Sequence, residues 1–411
     1  PGCMTVFTPY DVENAHVQGF DVVVNKPKVA AYRAPGAPQS EYACESALNE
    51  LADKLGLDPI EFRLKNVATE GTQALYGPKF GAIGMEECLN VAKASDHWNA
   101  PLGENQGRGL ACGFWFNIGG TSTVMINMNV DGTANLIEGS PDIGGSRASM
   151  ALMAAEELGI EAERIKPIIG DTEAVGYSAT TGGSRTTFAT GMATVEAARD
   201  VIGQVKERCA AQWNVTPDQV DYTDGVASNV AGEDKLTLAE VCSQQDRMGG
   251  VIAGRGAVNA RGAGPSFALH ICDTEVDPDT GKVDVIRYTA IQDAGKAIHP
   301  SYVEGQFQGG SAQGIGWALN EEYIYNADGV MENPGFLDYR VPLASDLPMI
   351  ETHIVEVPNP FHPFGVRGIG ETNIVPPLGA VSTSVSNAIG VWMEELPLSP
   401  PRVLKAVQAK S

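Results

Sequence analysis

The chain has 411 residues, with 28 lysines and arginines against 51 aspartates and glutamates, a formal net charge of −23. An acidic balance of that size argues against nucleic acid and anionic membrane as partners, and no apolar stretch approaches the roughly 20 residues that a bilayer requires. With 43% apolar and 19% charged residues, the composition is that of a folded, soluble enzyme or enzyme subunit. The length allows two or three folding units at typical domain sizes of about 100–200 residues.

In chain order, short alternations at Val22, Val24 and Val29 to Tyr32 predict strands that end in a Pro/Gly loop. Helical spacing of Ala43, Ala47, Leu48, Leu51 and Leu55 predicts a helix stopped by Gly56, and Asp58-Pro59 restarts it as N-cap and first-turn proline. Val124, Ile126, Met128 and Val130 alternate into Asp131-Gly132, and Ala134 and Leu136 alternate out, which predicts an antiparallel hairpin. A loop at 139–146 precedes a helix with Ala151, Ala154, Ala155 and Leu158 on one face. A second helix carries Val195, Ala198, Ile202, Val205 and Cys209 inward. Thr237 and Glu240 have capping-box spacing, and residues 277–281 read as a turn between two strands. Hairpins mixed with helices, without a regular βαβ rhythm, predict an α+β fold.

The seven cysteines are scattered singly, with no CxxC pair and no His or Cys at metal spacing, so the chain carries no zinc finger or iron–sulfur cluster of its own. That pattern predicts reduced thiols and a cytoplasmic location. Glycine is abundant, 47 residues, and clustered in DIGGS (142–146), TGGS (181–184), QGGSAQGIG (308–316) and GVRGIGE (365–371). Such loops let backbone N–H groups approach a large, polar, anionic ligand closely, although any one of them alone is as well explained as a turn. None is a GxGxxG after a strand or a GxxxxGK[ST] loop, which argues against a nicotinamide or P-loop site.

The segment AYRAPGAPQSEYACESALNELADKLGLDPIEFRLKN (31–66) resembles the stretch of molybdenum hydroxylases, the xanthine dehydrogenase and aldehyde oxidase family, that passes under the molybdenum centre. Four more matches follow in the same order: residues 139–160 resemble the Gly-Gln-Gly loop and its helix, 180–198 the pterin-binding loop, 303–322 the glutamine-bearing helix, and GVRGIGE the loop with the catalytic glutamate. The resemblance implies two mixed subdomains, with residues 1–138 the remainder of a first molybdopterin-binding domain and 139–411 a second that carries the glutamate. In the family about as much chain again precedes this region and adds another loop on the pterin. Either the large subunit is split into two polypeptides or this is a fragment, and in both cases the resemblance implies a complementary molybdopterin-binding chain that completes the pocket.

By the same resemblance, Glu371 is the catalytic base, its pKa raised in a water-poor pocket. Arg33, Gly144, Gly145, Ser146, Gly183, Ser184, Thr186, Gln313 and Gly370 hold molybdopterin, either bare or as its cytosine dinucleotide. The metal is held through the pterin dithiolene, with no direct protein ligand. Two departures bear on the substrate pocket and loop: Gly144-Gly145-Ser146 stands where many members have Gly-Gln-Gly, and Pro35 stands where an aromatic wall is usual, leaving Phe116 as the other wall. The implied reaction is water-derived hydroxylation of an N-heteroaromatic or aldehyde carbon, with hydride transfer to molybdenum. The implied electron-accepting partners are a small [2Fe-2S] subunit and an FAD subunit. The alternatives are a non-catalytic scaffold subunit and a reductive dehydroxylase of the 4-hydroxybenzoyl-CoA reductase type. The six histidines share no ligand spacing and read as satisfied loop or strand residues; His362, three before GVRGIGE, is the only one that invites substitution.

Overall fold

A computed structural model describes residues 1–171 and 173–410. The chain opens on one turn, α1 (Gly2–Thr5), and crosses residues 12–33 without a helix or strand. It then forms α2 (Ala37–Leu55), α3 (Pro59–Leu64), α4 (Met85–Ala94) and α5 (Asp96–Asn99). The break between α2 and α3 is chemical. Gly56 takes a left-handed conformation at φ +65°, and the Asp58 carboxylate caps α3 by accepting from the N–H of Ile60 at 2.8 Å and of Glu61 at 3.0 Å.

The strands predicted within residues 22–32 are absent. Val22, Val24 and Val29 stand in open extended chain, because a strand needs a neighbour to hydrogen-bond and none lies alongside. The α2 helix forms as expected but buries another face: Glu41, Cys44, Glu45, Asn49 and Ala52 point inward, while Leu51 and Leu55 remain exposed. Two polar side chains of the buried face meet partners, whereas the Glu41 carboxylate has none. Glu45 is ion-paired with Arg63 at 2.8 Å, both side chains being fully buried, and also accepts from Tyr10 Oη and, at 2.6 Å, from the Cys112 N–H. Asn49 donates to the Leu110 carbonyl and Thr383 Oγ1, each at 2.8 Å.

Two four-stranded sheets follow. The first has the order β1 (Gln106–Trp115), β9 (Ser266–Val276), β10 (Val283–Asp293), β11 (Ile350–Val355), antiparallel except for the parallel β10–β11 pair. The second runs β4 (Ile165–Ile169), β3 (Ala134–Glu138), β2 (Gly120–Met128), β8 (Ala253–Ala260), with β3–β4 parallel. The predicted hairpin is β2–β3, with Met128 opposite Ala134, and the predicted turn at 277–281 joins β9 to β10. A small sheet of β5 (Val220–Thr223), β6 (Val226–Asn229) and β7 (Lys235–Thr237) leads into α8 (Leu238–Ser243), which starts with the expected Thr237/Glu240 capping box.

Helices α6 (Ser146–Leu158) and α7 (Gly191–Trp213) cover the second sheet and bury Ala154, Leu158, Ala198, Val205 and Cys209 against it. The first sheet is covered on both faces. Ala111, Cys272 and Ala290 pack toward α9 (Pro300–Leu319), α10 (Pro377–Ile389) and α11 (Pro400–Lys410), while Leu110, Phe114, Leu269 and Ile291 pack toward α4 and the N-terminal region. In each layer, glycine brings helix backbone onto strand backbone. A Cβ on Gly109 would lie 2.2 Å from the Ala380 carbonyl oxygen of α10, and one on Gly256 would lie 1.9 Å from the Ala193 carbonyl oxygen of α7. All seven cysteines are free thiols, and among the described residues no helix is long and apolar enough to cross a membrane.

Candidate active site

Loops from both sheets converge on one cavity of about 820 Å³, lined by residues from 31–35, 115–118, 143–149, 180–187, 294–306 and 366–371. Eleven of the twelve predicted site residues line it: Arg33, Pro35, Phe116, Gly144, Ser146, Gly183, Ser184, Thr186, Gln313, Gly370 and Glu371. Gly145, the twelfth, caps α6 beside them in the left-handed region at φ +79°, where an added Cβ would fall 2.4 Å from the Tyr302 ring.

Glu371 follows the loop that Arg367 anchors. The Arg367 guanidinium is buried against Asp293 at 3.2 Å and donates to the carbonyls of Val357 and Pro265. Both carboxylate oxygens of Glu371 are engaged. Oε1 accepts from the Ala34 N–H at 2.9 Å, and Oε2 accepts from Ser184 Oγ at 3.0 Å; the same hydroxyl accepts from the Glu371 N–H at 3.0 Å. Burial raises the Glu371 pKa above the ordinary carboxylate value, while the Ala34 N–H, the Ser184 hydroxyl and the Arg33 charge pull it partly back.

Arg33 is the hub. Its Nε donates to the Gly370 carbonyl at 2.6 Å, and its Nη2 donates to Asn373 Oδ1 at 2.8 Å and to the Gln306 carbonyl at 3.2 Å. Nη1 reaches Gln313 Oε1 at 3.4 Å. Burial lowers its pKa, and its hydrogen-bond acceptors are all neutral oxygens. Arg185, one residue past Ser184, is likewise buried and donates to the carbonyls of Gly119, Ala179 and Thr121 and to Ser122 Oγ, with no carboxylate among its partners. Two guanidiniums, both hydrogen-bonded to neutral oxygens, thus line the cavity beside the Glu371 carboxylate.

Other predicted residues are placed as follows. Ser184, expected to face the cofactor, spends its hydroxyl on Glu371. It does so at φ +58°, a conformation that costs little only for glycine and, among side-chain residues, Asn or Asp. A Cβ on Gly183 would meet Ile118 at 2.3 Å, so that position must be small for the chain's own packing. A Cβ on Gly368 would sit 2.0 Å from the Ser184 carbonyl oxygen, so the glycines of GVRGIGE press the loop onto its neighbouring loop. Ser146 Oγ is buried at the cavity wall without a partner. Thr186 bonds weakly to Thr181 at 3.4 Å in a π-helical turn, Thr186–Thr190, that enters α7. Phe116 stacks on Trp115 with ring centroids 4.4 Å apart.

Against the expectation of satisfied histidines, His270, His299 and His362 each keep a buried ring nitrogen without a partner. His362 is buried away from the cavity, against Phe188, and burial lowers its pKa to about 4; the intervening loop turns its side chain toward α7. His299 lines the cavity, stacked on Tyr302 at 3.8 Å, and its buried Nδ1 lacks a partner, so it is not a satisfied loop residue. Gln306, Asn373 and Arg185 went unread. Gln306 had one usable signal: it lies seven residues, two helical turns, before Gln313 and so shares its face.

Ser184→Gly removes one donor to the Glu371 carboxylate while glycine adopts the same φ without cost. A hydrogen bond to a charged group is worth about 1.5–3 kcal/mol, so the carboxylate form weakens and the pKa of Glu371 rises further. If Glu371 acts as a base, the acid limb of the kcat/KM pH profile moves to higher pH. Activity on that limb then falls about tenfold, with near-recovery in alkaline buffer and unchanged thermal stability. An unmoved limb would show that the hydroxyl does not hold the carboxylate.

The two covered sheets and the glycine-walled, arginine-lined cavity between them define a cofactor-binding protein. Profiles of the molybdopterin cofactor-binding domain match residues 87–348 and 2–67, and the chain belongs to that family, in the xanthine dehydrogenase and aldehyde oxidase group of molybdenum hydroxylases. It is 31% identical over 404 residues to a xanthine dehydrogenase molybdenum-binding subunit of Escherichia coli O157:H7, covering 92% of this chain and 53% of that protein. It is 28% identical over 433 residues to the gamma subunit of the 6-hydroxypseudooxynicotine dehydrogenase complex of Paenarthrobacter nicotinovorans, covering 98% and 54% respectively. The crystal structure of the aldehyde oxidoreductase from Desulfovibrio desulfuricans superposes with a TM-score of 0.82 at 27% identity, over 98% of this chain and 44% of that one. The chain thus spans about half the length of the curated relatives it matches, and it shares its α+β fold with the aldehyde oxidoreductase structure.

Proposed function

We propose that this chain supplies the base-bearing part of the active site of a molybdenum hydroxylase. The observation that carries the reading is Glu371: a desolvated carboxylate, clamped through both oxygens, at the point where the Arg33, Ser184 and Gly370 loops meet. The cavity fits molybdopterin chemically. Ser146 Oγ is an unpaired buried hydroxyl on its wall, Gly182 leaves open space where a Cβ would stand, Arg185 brings positive charge without a carboxylate partner, and Arg33 hydrogen-bonds only to neutral oxygens beside the Glu371 carboxylate. Gly144, Gly145, Ser146, Gly183, Thr186 and Gln313 would hold the pterin, bare or as its cytosine dinucleotide.

When bound, the molybdenum centre supplies the two-electron redox chemistry. Glu371 takes a proton from the water-derived oxygen as that oxygen attacks an electrophilic substrate carbon, for which the raised pKa suits it. Arg33 holds the Gly370 carbonyl and through it the Glu371 backbone. Pro35, Trp115 and Phe116 give a dry apolar wall suited to an N-heteroaromatic or aldehyde substrate. The electrons leave through [2Fe-2S] and FAD subunits, and a complementary molybdopterin-binding chain completes the pocket. Free thiols throughout accord with a cytoplasmic location.

Metal analysis of the purified complex, combined with dye-linked turnover of a panel of aldehydes and N-heteroaromatics in isotope-labelled water, tests this reading. Equimolar molybdenum and label in the product oxygen are expected. A complex without molybdenum would identify a scaffold instead.

A further inference from the structure

Residues 17–32 have the sequence of a strand and none of its bonds. Val22, Val23 and Val24 are consecutive, so both faces of an extended chain would be apolar, the mark of a strand covered on both sides. Here they stand 70%, 96% and 58% exposed, beside Phe20 at 77% and Val29 at 92%. Among the described residues, no backbone N–H or C=O from 12 to 33 hydrogen-bonds within the chain. The segment is nonetheless anchored. Lys26 Nζ lies 5.3 Å from the Tyr325 ring centroid, the Tyr32 and Trp317 rings are 6.4 Å apart, and the segment ends at Ala31, Tyr32 and Arg33 on the cavity wall.

We infer that residues 17–31 are a strand donated to a sheet outside this chain, and that the acceptor is the polypeptide supplying the other half of the relatives' length. The relatives carry nearly as many residues again beyond the matched region, enough for a layer on each face of the strand. Pairing also stations that polypeptide at the cavity mouth, because the strand runs directly into Arg33. A second copy of this chain is the weaker occupant: it would bring the same unpaired strand and none of the length by which the relatives exceed this chain. This assignment rests on the reading of the chain as one part of a larger molybdopterin-binding unit.

Hydrogen exchange, followed by mass spectrometry, tests it on the chain alone and on the complex formed by coexpression with the complementary polypeptide. In the chain alone, amides 18–30 should exchange at nearly the free-peptide rate; in the complex they should slow by at least about a hundredfold. The double variant Val22→Lys, Val24→Lys alters side chains already exposed, so the chain should fold with an unchanged melting temperature while complex formation is lost. Unprotected amides in an assembled complex, undiminished assembly of the double variant, or protection arising from a homodimer would each overturn the assignment. Molybdenum measured on the same complex separates the two readings. Protection without molybdenum leaves the strand and removes the hydroxylase, whereas molybdenum without protection removes only the strand.

Discussion

Glu371→Gln should leave the chain folded and molybdenum content unchanged while lowering turnover at least about a hundredfold, the scale of losing a general base. The substitution is nearly isosteric. The amide oxygen can still accept from the Ala34 N–H, and the Ser184 hydroxyl can still accept from the Glu371 N–H, so the loop keeps its anchors. What disappears is the capacity to take a proton. Dye-linked turnover, read beside metal content and thermal melting, separates loss of chemistry from loss of fold. Near-normal turnover with full metal would remove Glu371 from the mechanism.

Arg63→Ala should destabilise the chain by about 3–5 kcal/mol, the usual cost of stripping one partner from a buried ion pair. Glu45 would remain fully buried with only Tyr10 Oη and the Cys112 N–H to support its charge. Its neighbour Glu41 cannot share the load: both its oxygens are buried without partners, and burial together with the Glu45 charge raises its pKa well above the ordinary value. Urea unfolding measures the loss. The double variant Arg63→Met, Glu45→Gln, which removes both charges, should recover a large part of it, and failure to recover would show that Arg63 acts mainly through packing and its bond to the Pro59 carbonyl.

Elements with local signals were legible. The β2–β3 hairpin, the Asp58 cap of α3 and the Thr237/Glu240 box each depend on residues within a few positions of one another. Residues 22–32 were misread for the opposite reason, since alternation describes what a strand would do with a neighbour and none of the described residues pairs with them. The face of α2 was misread because its core side is polar, with Glu45 and Asn49 held by Tyr10, Arg63 and Leu110 from other elements. At the site, the ordered motifs named loops that line one cavity. The acceptors of Arg33, namely Gln306, Gly370 and Asn373, come from positions 273 to 340 residues away in sequence, and only the fold assembles them.

The contacts at Gly109 and Gly256 bear on how this protein can diversify. Where strand and helix main chains touch, even one methyl group has nowhere to go without moving the helix off the sheet. Change at the cavity is freer at its rim, at positions such as Ile143, which lines the cavity and is largely exposed, so its size can vary without disturbing the platform beneath.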